Sequence, residues 1–360
     1  MTRYDIAIVG AGIVGATLAA ELAPHASVLL LEAEDQPGYH STGRSAAFWS
    51  ETYGGPAIQP LTSASTAAFQ AGGFLQPLGS LHIGRAEDER AIDAFLAAFA
   101  DTAVVLERVD PAAHVPGLRD DWVHGVFEPS CAYIDVGGLH GAALAAAKRG
   151  GAVLATRAGL QAAERRDGVW RLETAADDFV ADVLVDAAGA WADPVAVMAG
   201  VRPLGIQPYR RTVVQLRTEP APPEGMAHIA DIAGRFYFKP EAGGRLWLSP
   251  HDETPVDPHD TAPEELDVAI AIDRFEGVVD WRVAAVERRW AGLRSFAPDR
   301  LPVYGFDGDV PGFFWAVGQG GFGIQTAPAA ARLASALLLG RGDMPAGVDP
   351  ARYRPERFLR

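Results

Sequence analysis

"YDIAIVGAGIVGATLAAELA", residues 4–23, opens the chain and decides how the rest is read. Tyr4 to Val9 reads as a short buried strand, rich in apolar and β-branched side chains. Ile13 to Leu22, dense in Ala and Leu, reads as a helix. Between them Gly10, Gly12 and Gly15 complete a G-x-G-x-x-G. In a dinucleotide-binding turn the first glycine permits the tight bend and the second lets a pyrophosphate approach the backbone. The third lets helix and strand pack closely. The free N–H groups and positive dipole end of the helix suit a phosphate, so Ile13 and Val14 join the glycines as expected contacts. A second strand, "SVLLLEAE" at residues 27–34, ends in Glu32. That acid stands about 20 residues beyond Gly12, where a dinucleotide fold places a carboxylate on a ribose hydroxyl. An acid there disfavours a 2′-phosphate, which argues against NADP and leaves NAD or FAD.

With 360 residues and 49% hydrophobic content, the chain can bury a large core, expected as two lobes. The formal net charge of -15 argues against a nucleic-acid partner, which would need a basic face. Cys131 is the only cysteine, so neither an intramolecular disulfide nor a thiolate metal cage is expected. "SPHDETPVDPHD" gathers His251, Asp252, His259 and Asp260, but its prolines and irregular spacing read as a polar loop, with no metal expected. Residues 1–9 lack a signal-peptide pattern, and no apolar run reaches the roughly 20 residues of a membrane span. A soluble, cytoplasmic protein is expected.

The nucleotide-binding lobe reads as interrupted. A polar stretch, "QPGYHSTGRSAAFWSETYGG", follows the opening unit. Val183–Val185, running into Ala-Ala-Gly-Ala, reads as another central parallel strand. Residues 206–299 alternate as an antiparallel sheet would, and "GFFWAVGQGGFGIQTAPAAARLASALLLG" closes as strand, glycine loop and helix. The expected architecture is α/β and α+β. A Rossmann-like FAD-binding domain assembled from separated segments (1–76, 136–205 and 300–360) joins an antiparallel-sheet substrate domain (77–135 and 206–299). NAD dehydrogenases seldom need such an arrangement, whereas flavoproteins commonly do.

The glycine motif with Glu32, "VLVDAAGAWAD" and "GQGGFGIQTAPA" together resemble the D-amino-acid oxidase superfamily of FAD enzymes. "QPGYHSTGRSAAFWSETYG", "GVRPLGIQPYRR", "FYFKPEAGG" and "WAGLRSFAPD" are most similar to its FAD-dependent D-amino-acid dehydrogenases, of the D-arginine dehydrogenase type. The resemblance spans nearly the whole chain, more weakly over 70–125. It implies oxidative deamination of a D-amino acid to a 2-oxo acid and ammonia, by hydride transfer from Cα to flavin N5. Electrons would pass to an unidentified acceptor: a quinone, a similar carrier or oxygen. An oxygen-using oxidase of the glycine or sarcosine type is the alternative. The resemblance also implies cofactor contacts from Ser41, Thr42, Arg44, Ser45, Ala46 and Ala47, from Gly189 and Trp191, and from Gly320, Gly321, Phe322, Gly323 and Ile324.

The substrate carboxylate would meet Arg211 and Arg294, with Arg210 able to replace Arg211, and Tyr237 as a third donor. Tyr53 matches a mobile lid tyrosine. Phe48 and Trp49 would wall the side-chain pocket, with Gly321 and Gln325 beside the substrate. Arginine-selective members carry a Glu where Ser80 stands, and His where Phe48 stands, so a neutral or apolar side chain is expected here. No cysteine follows Arg294 at the position where the sarcosine-oxidase branch attaches its flavin, so FAD is expected to be noncovalent. Trp247 stands where that branch places a lysine over the flavin, which favours a dehydrogenase.

Overall fold

The computed structural model describes residues 2–358; positions 1 and 359–360 of the expected division lie outside them. Thr2–Val9 is a strand and Ile13–Leu22 a helix, as the glycine spacing requires. Val28–Leu31 runs parallel to Thr2–Val9 on one side, with Leu31 opposite Val9. Phe179–Asp186 runs parallel on the other, with Asp186 opposite Val9. The run around Val183–Val185 is therefore the central strand expected of it. Its first half pairs with the antiparallel Val169–Thr174, and its last residues pair with the parallel Phe313–Val317.

This sheet is buried on both faces, which explains the unbroken apolar reading of its strands. Ile6 and Ile8 pack with Leu18, Leu22 and Leu333 on one side. Ala7 and Val9 pack with Leu184, Trp170 and Trp315 on the other. The helices Ile13–Leu22, Val136–Arg149 and Gly323–Leu339 lie together over the first face.

A second sheet centres on the long antiparallel pair Gln207–Glu219 and Arg282–Phe296. It continues through Arg245–Ser249, Tyr237–Glu241, His228–Asp231, Ser80–Arg85, Trp122–Glu128 and Glu107–Val109. The expected antiparallel sheet carries one parallel pair, because Ser80–Arg85 enters from an earlier segment alongside His228–Asp231. One face buries Val214, Leu216, Phe236, Phe238 and Leu248 against Phe275 and Val268 of the helix Glu265–Glu276. The opposite face turns toward the first sheet. The segments also cross between sheets: Gln319–Gly320 pairs with Arg282–Phe296, and Phe48–Trp49, Leu75–Pro77 and Ala132–Ile134 form a small third sheet.

Candidate active site

Where the two large sheets face each other lies a cavity of ≈ 390 Å³. One end is built by the opening motif. A Cβ on Gly10 would meet the Ala187 carbonyl oxygen at 2.6 Å, and one on Gly15 would meet the Gly10 oxygen at 1.9 Å. The close packing of turn, helix and neighbouring strand thus demands glycine at both positions. Gly12, Ile13 and Val14 line the cavity, while Gly15 serves behind them as packing. Gly12 caps the helix Ile13–Leu22 without a side-chain hydrogen bond and without an acid in the first turn, leaving that helix end open to an anion. Glu32, 9% exposed, holds the turn from below: its Oε2 accepts from Ala11 N at 3.0 Å and its Oε1 from Glu34 N at 3.0 Å.

Ser41, Thr42, Arg44, Ser45 and Ala46 line the adjoining wall. The Thr42 hydroxyl accepts from Ile13 N at 3.0 Å, and Arg44 pairs with Asp260. Ala47, the next residue, is outside the lining and has a φ of 57°. Gly189 and Trp191 line the far side, with the Trp191 ring 4.6 Å from that of His40. A second uncapped helix start, Gly323–Leu339, faces the same cavity through Gly320, Gly321, Gly323 and Ile324. The side chain of Phe322 turns away onto Tyr53 and Phe296. A cavity lined by an open helix end at the glycine turn and by another at the Gly320–Ile324 loop fits a dinucleotide such as FAD.

Arg211, Arg294 and Tyr237 line the end of the cavity on the second sheet. Arg294 donates through Nη1 to the Tyr53 hydroxyl at 2.6 Å and makes no ion pair among the described residues. Arg211, 3% exposed, donates through Nε to the Asp252 carbonyl at 2.7 Å and through Nη2 to Glu253 at 3.0 Å. Its Nη1 and the Tyr237 hydroxyl are both buried without a hydrogen-bond partner. Burial, and then the charge of Arg294, lowers the Arg211 pKa to about 10, so it stays charged at neutral pH. The same burial and the two arginines push His251 down to about 3, leaving it neutral beside Tyr237, 5.8 Å ring to ring. The arrangement lacks an acceptor, and a carboxylate would supply one.

Strand alternation separates neighbours that the sequence left together. Arg210 points to the other face and pairs with Glu264 and Asp267, so it cannot replace Arg211 at the cavity. Phe48 lies among Tyr53 (5.2 Å), Tyr237 (5.8 Å) and His228 (4.6 Å), while Trp49 goes the opposite way into the core with Ile13, Phe69 and Leu139. The expected pocket-wall role of Trp49 is thereby corrected, while Phe48 and Tyr53 also stand outside the lining, packed behind Tyr237 and Arg294. Ser80 is 1% exposed and absent from the lining; its hydroxyl meets His228 Nδ1 at 2.9 Å, beneath the Phe48 ring. Trp247 also stands off the cavity, donating to Gln215 at 3.0 Å and lying under the Lys239 ammonium at 4.4 Å. Gln325 supports the site from behind, donating to the Tyr53 carbonyl at 3.1 Å and to Thr62 at 2.8 Å.

Sequence reading missed His140, whose Nε2 lies 2.8 Å from the Ala11 carbonyl under the glycine turn, because a helix histidine carries no motif. It missed Glu128 because a single acid at the end of a strand carries no motif either. Burial alone would push that carboxyl up, but His82, Thr52 and Ser50 outweigh burial and hold it below its usual value.

Comparison with known proteins supplies relatives for this arrangement. The family described as "DAO: FAD dependent oxidoreductase" matches residues 5–337. The bifunctional protein ThiO/ThiG of Synechocystis sp. is 30% identical over 252 residues, 68% of this chain and 36% of that protein. The glycine oxidase of Pseudomonas aeruginosa is 30% identical over 202 residues, 53% of this chain and 50% of that one. The match thus covers about a third to half the length of these relatives. Among solved structures, L-proline dehydrogenase from P. horikoshii superposes with a TM-score of 0.87 at 21% identity, covering 99% of this chain and 98% of that one. Glycine oxidase from Geobacillus kaustophilus does so at 0.84 and 23%, covering 99% of both chains. At such identity the two structures show a shared fold.

Proposed function

The chain belongs to the DAO family of FAD-dependent oxidoreductases, and from that premise we propose that it oxidises the amine of a small α-amino acid with a neutral side chain, in the D configuration where Cα is chiral. The observation that carries this reading is the pair of arginines beside Tyr237, Arg211 buried and Arg294 half-buried at the cavity wall, with Arg294 unpaired by any acid among the described residues and Arg211 Nη1 unpartnered. FAD, when bound, supplies the two-electron oxidant for the Cα hydride, and the imine released after loss of the amine proton is hydrolysed by water to a 2-oxo acid and ammonia. Arg294 and Arg211 hold the carboxylate, a planar acceptor suited to guanidinium forks, and the Tyr237 hydroxyl completes the grip. Arg211 already pairs with Glu253, so Arg294 is the cation that balances the substrate carboxylate. Holding the carboxylate fixes Cα and thereby the C–H to be broken. Electrons then leave to a quinone, a similar carrier or oxygen.

A second reading, glycine or an N-substituted glycine with oxygen as acceptor, is favoured by the rings around Phe48. Phe48 packs closely on Tyr53 and on His228, so a bulky substrate side chain would have to part them, whereas glycine would not. Anaerobic bleaching of the bound flavin by D-alanine, D-leucine, L-leucine, glycine, sarcosine and D-arginine separates the readings. Bleaching by D-alanine and D-leucine supports the first, and bleaching by glycine or sarcosine alone supports the second. Bleaching by none of them overturns both.

A further inference from the structure

Glu128 ends the strand Trp122–Glu128 on the second sheet and is wholly buried, yet it neither lines the cavity nor holds a cation at close range. The nearest is His82, with Nε2 at 3.7 Å. What the carboxylate does hold is the turn that follows Phe48–Trp49. Its Oε2 accepts from the Thr52 hydroxyl at 2.6 Å and the Ser50 hydroxyl at 2.9 Å, and its Oε1 accepts from Glu51 N at 2.8 Å. Ser130 adds a longer hydroxyl contact at 3.3 Å. Tyr53 N in turn donates to the Ser50 oxygen at 3.2 Å, while Gln325 fixes the Tyr53 carbonyl from the other side.

We infer that Glu128 is a positioning residue: it pins the Ser50–Tyr53 turn so that the Tyr53 hydroxyl rests on Arg294 and adds a further donor to the carboxylate grip. This rests on the reading of Arg294 as a carboxylate partner. The hydroxyl oxygen of Tyr53 already accepts from Arg294, so its proton is left to be donated to a substrate carboxylate. A carboxylate with two oxygens accepts from three or more donors at once, which no amide can do, because an amide has only one acceptor oxygen. The expected lid tyrosine is thus tied down at both backbone ends, and only its ring is left to move.

The test uses the FAD-loaded protein and acetate as the carboxylate probe, with binding read from the flavin spectrum and kinetics from D-leucine or glycine. Glu128→Gln and Thr52→Val should each weaken acetate by about tenfold and raise KM alike, with kcat within about threefold. Either change added to Tyr53→Phe should cost nothing more, since both act through the same hydroxyl. Thr52→Val leaves the carboxylate in place and decides the matter if Glu128→Gln does not fold. Additive losses, or unchanged acetate binding in a folded Thr52→Val protein, overturn the inference. If Arg294→Lys and Tyr53→Phe also leave acetate binding unchanged, the carboxylate reading itself falls, and the inference falls with it.

Discussion

At the scale of single residues, the site depends on cations held in place before any substrate arrives. A guanidinium without an acid is costly to withdraw from solvent, and the local structure tolerates Arg294 because it is only half-buried, with Tyr53 taking one donor and the cavity open beside it. Lysine at either arginine keeps the charge but loses the planar fork. Arg294→Lys and Arg211→Lys are therefore expected to raise KM by the equivalent of about 2–5 kcal/mol while FAD stays bound. Steady-state kinetics beside a flavin-to-protein absorbance ratio check this, and normal KM in both variants would place the carboxylate elsewhere. Phe48 and Trp49 offer a paired contrast. Trp49→Ala should cost about 3–5 kcal/mol of stability by opening the core, read as a lowered denaturation midpoint. Phe48→Ala, on the opposite face, should cost less and should change substrate preference toward larger side chains.

Among elements, the glycine turn is the part of the molecule where backbone geometry leaves least freedom. Gly15→Ala would drive a methyl into the Gly10 carbonyl oxygen, so the turn could not keep the shape that presents the open helix end. The expected product is a protein that purifies without flavin or does not fold, judged by flavin absorbance and circular dichroism. Gly151 is the control. Its φ is +98°, but a Cβ there meets nothing within 4 Å, so Gly151→Ala should lose only about 1–3 kcal/mol and keep its FAD. The helix Gly323–Leu339 begins within the glycine loop itself. That places Gly323 and Ile324 at the cavity and turns Gln325 inward to Tyr53.

For the whole molecule, we propose the division into a cofactor part (1–76, 136–205 and 300–360) and a substrate part (77–135 and 206–299), with the cavity between their sheets. Among the described residues, Glu32 and Glu34 are the acids that line the cavity, and both follow the strand Val28–Leu31 at the glycine-turn end. A cationic side chain beside Arg294 would meet no carboxylate on that wall of the cavity, and Glu253 behind it is already held by Arg211 and Arg300. D-leucine or glycine should thus exceed D-arginine by at least roughly a hundredfold in kcat/KM, since each uncompensated effect is worth about tenfold or more. The net charge of -15 pulls cations toward the mouth, but that attraction is screened within about 8 Å at physiological salt. A higher kcat/KM for D-arginine would mean that an acid outside the lining enters the pocket. FAD is expected to leave intact on acid or heat treatment, because Cys131, the only cysteine, is buried away from the cavity. Colour that stays with the precipitate would contradict this. No helix among the described residues is long and apolar enough to cross a membrane.

The nucleotide fold was legible because its determinants are local: strand, glycine turn, helix and Glu32 follow one another within some thirty residues, and each constrains the next through backbone geometry. The central strand around Val183–Val185 was legible from its apolar run for the same reason. The substrate end is different, because period-two alternation says that Arg210 and Arg211 face opposite ways but not which of them meets the cavity. That was decided by the helix Glu265–Glu276, whose Asp267, with Glu264 just before it, claims Arg210 from the far face. Ser80 and Trp49 went to the core, and Glu128 came under the Tyr53 turn, through packing between segments that lie far apart in the chain. Such contacts leave no pattern in the residues on either side of them, so only the tertiary structure could place them.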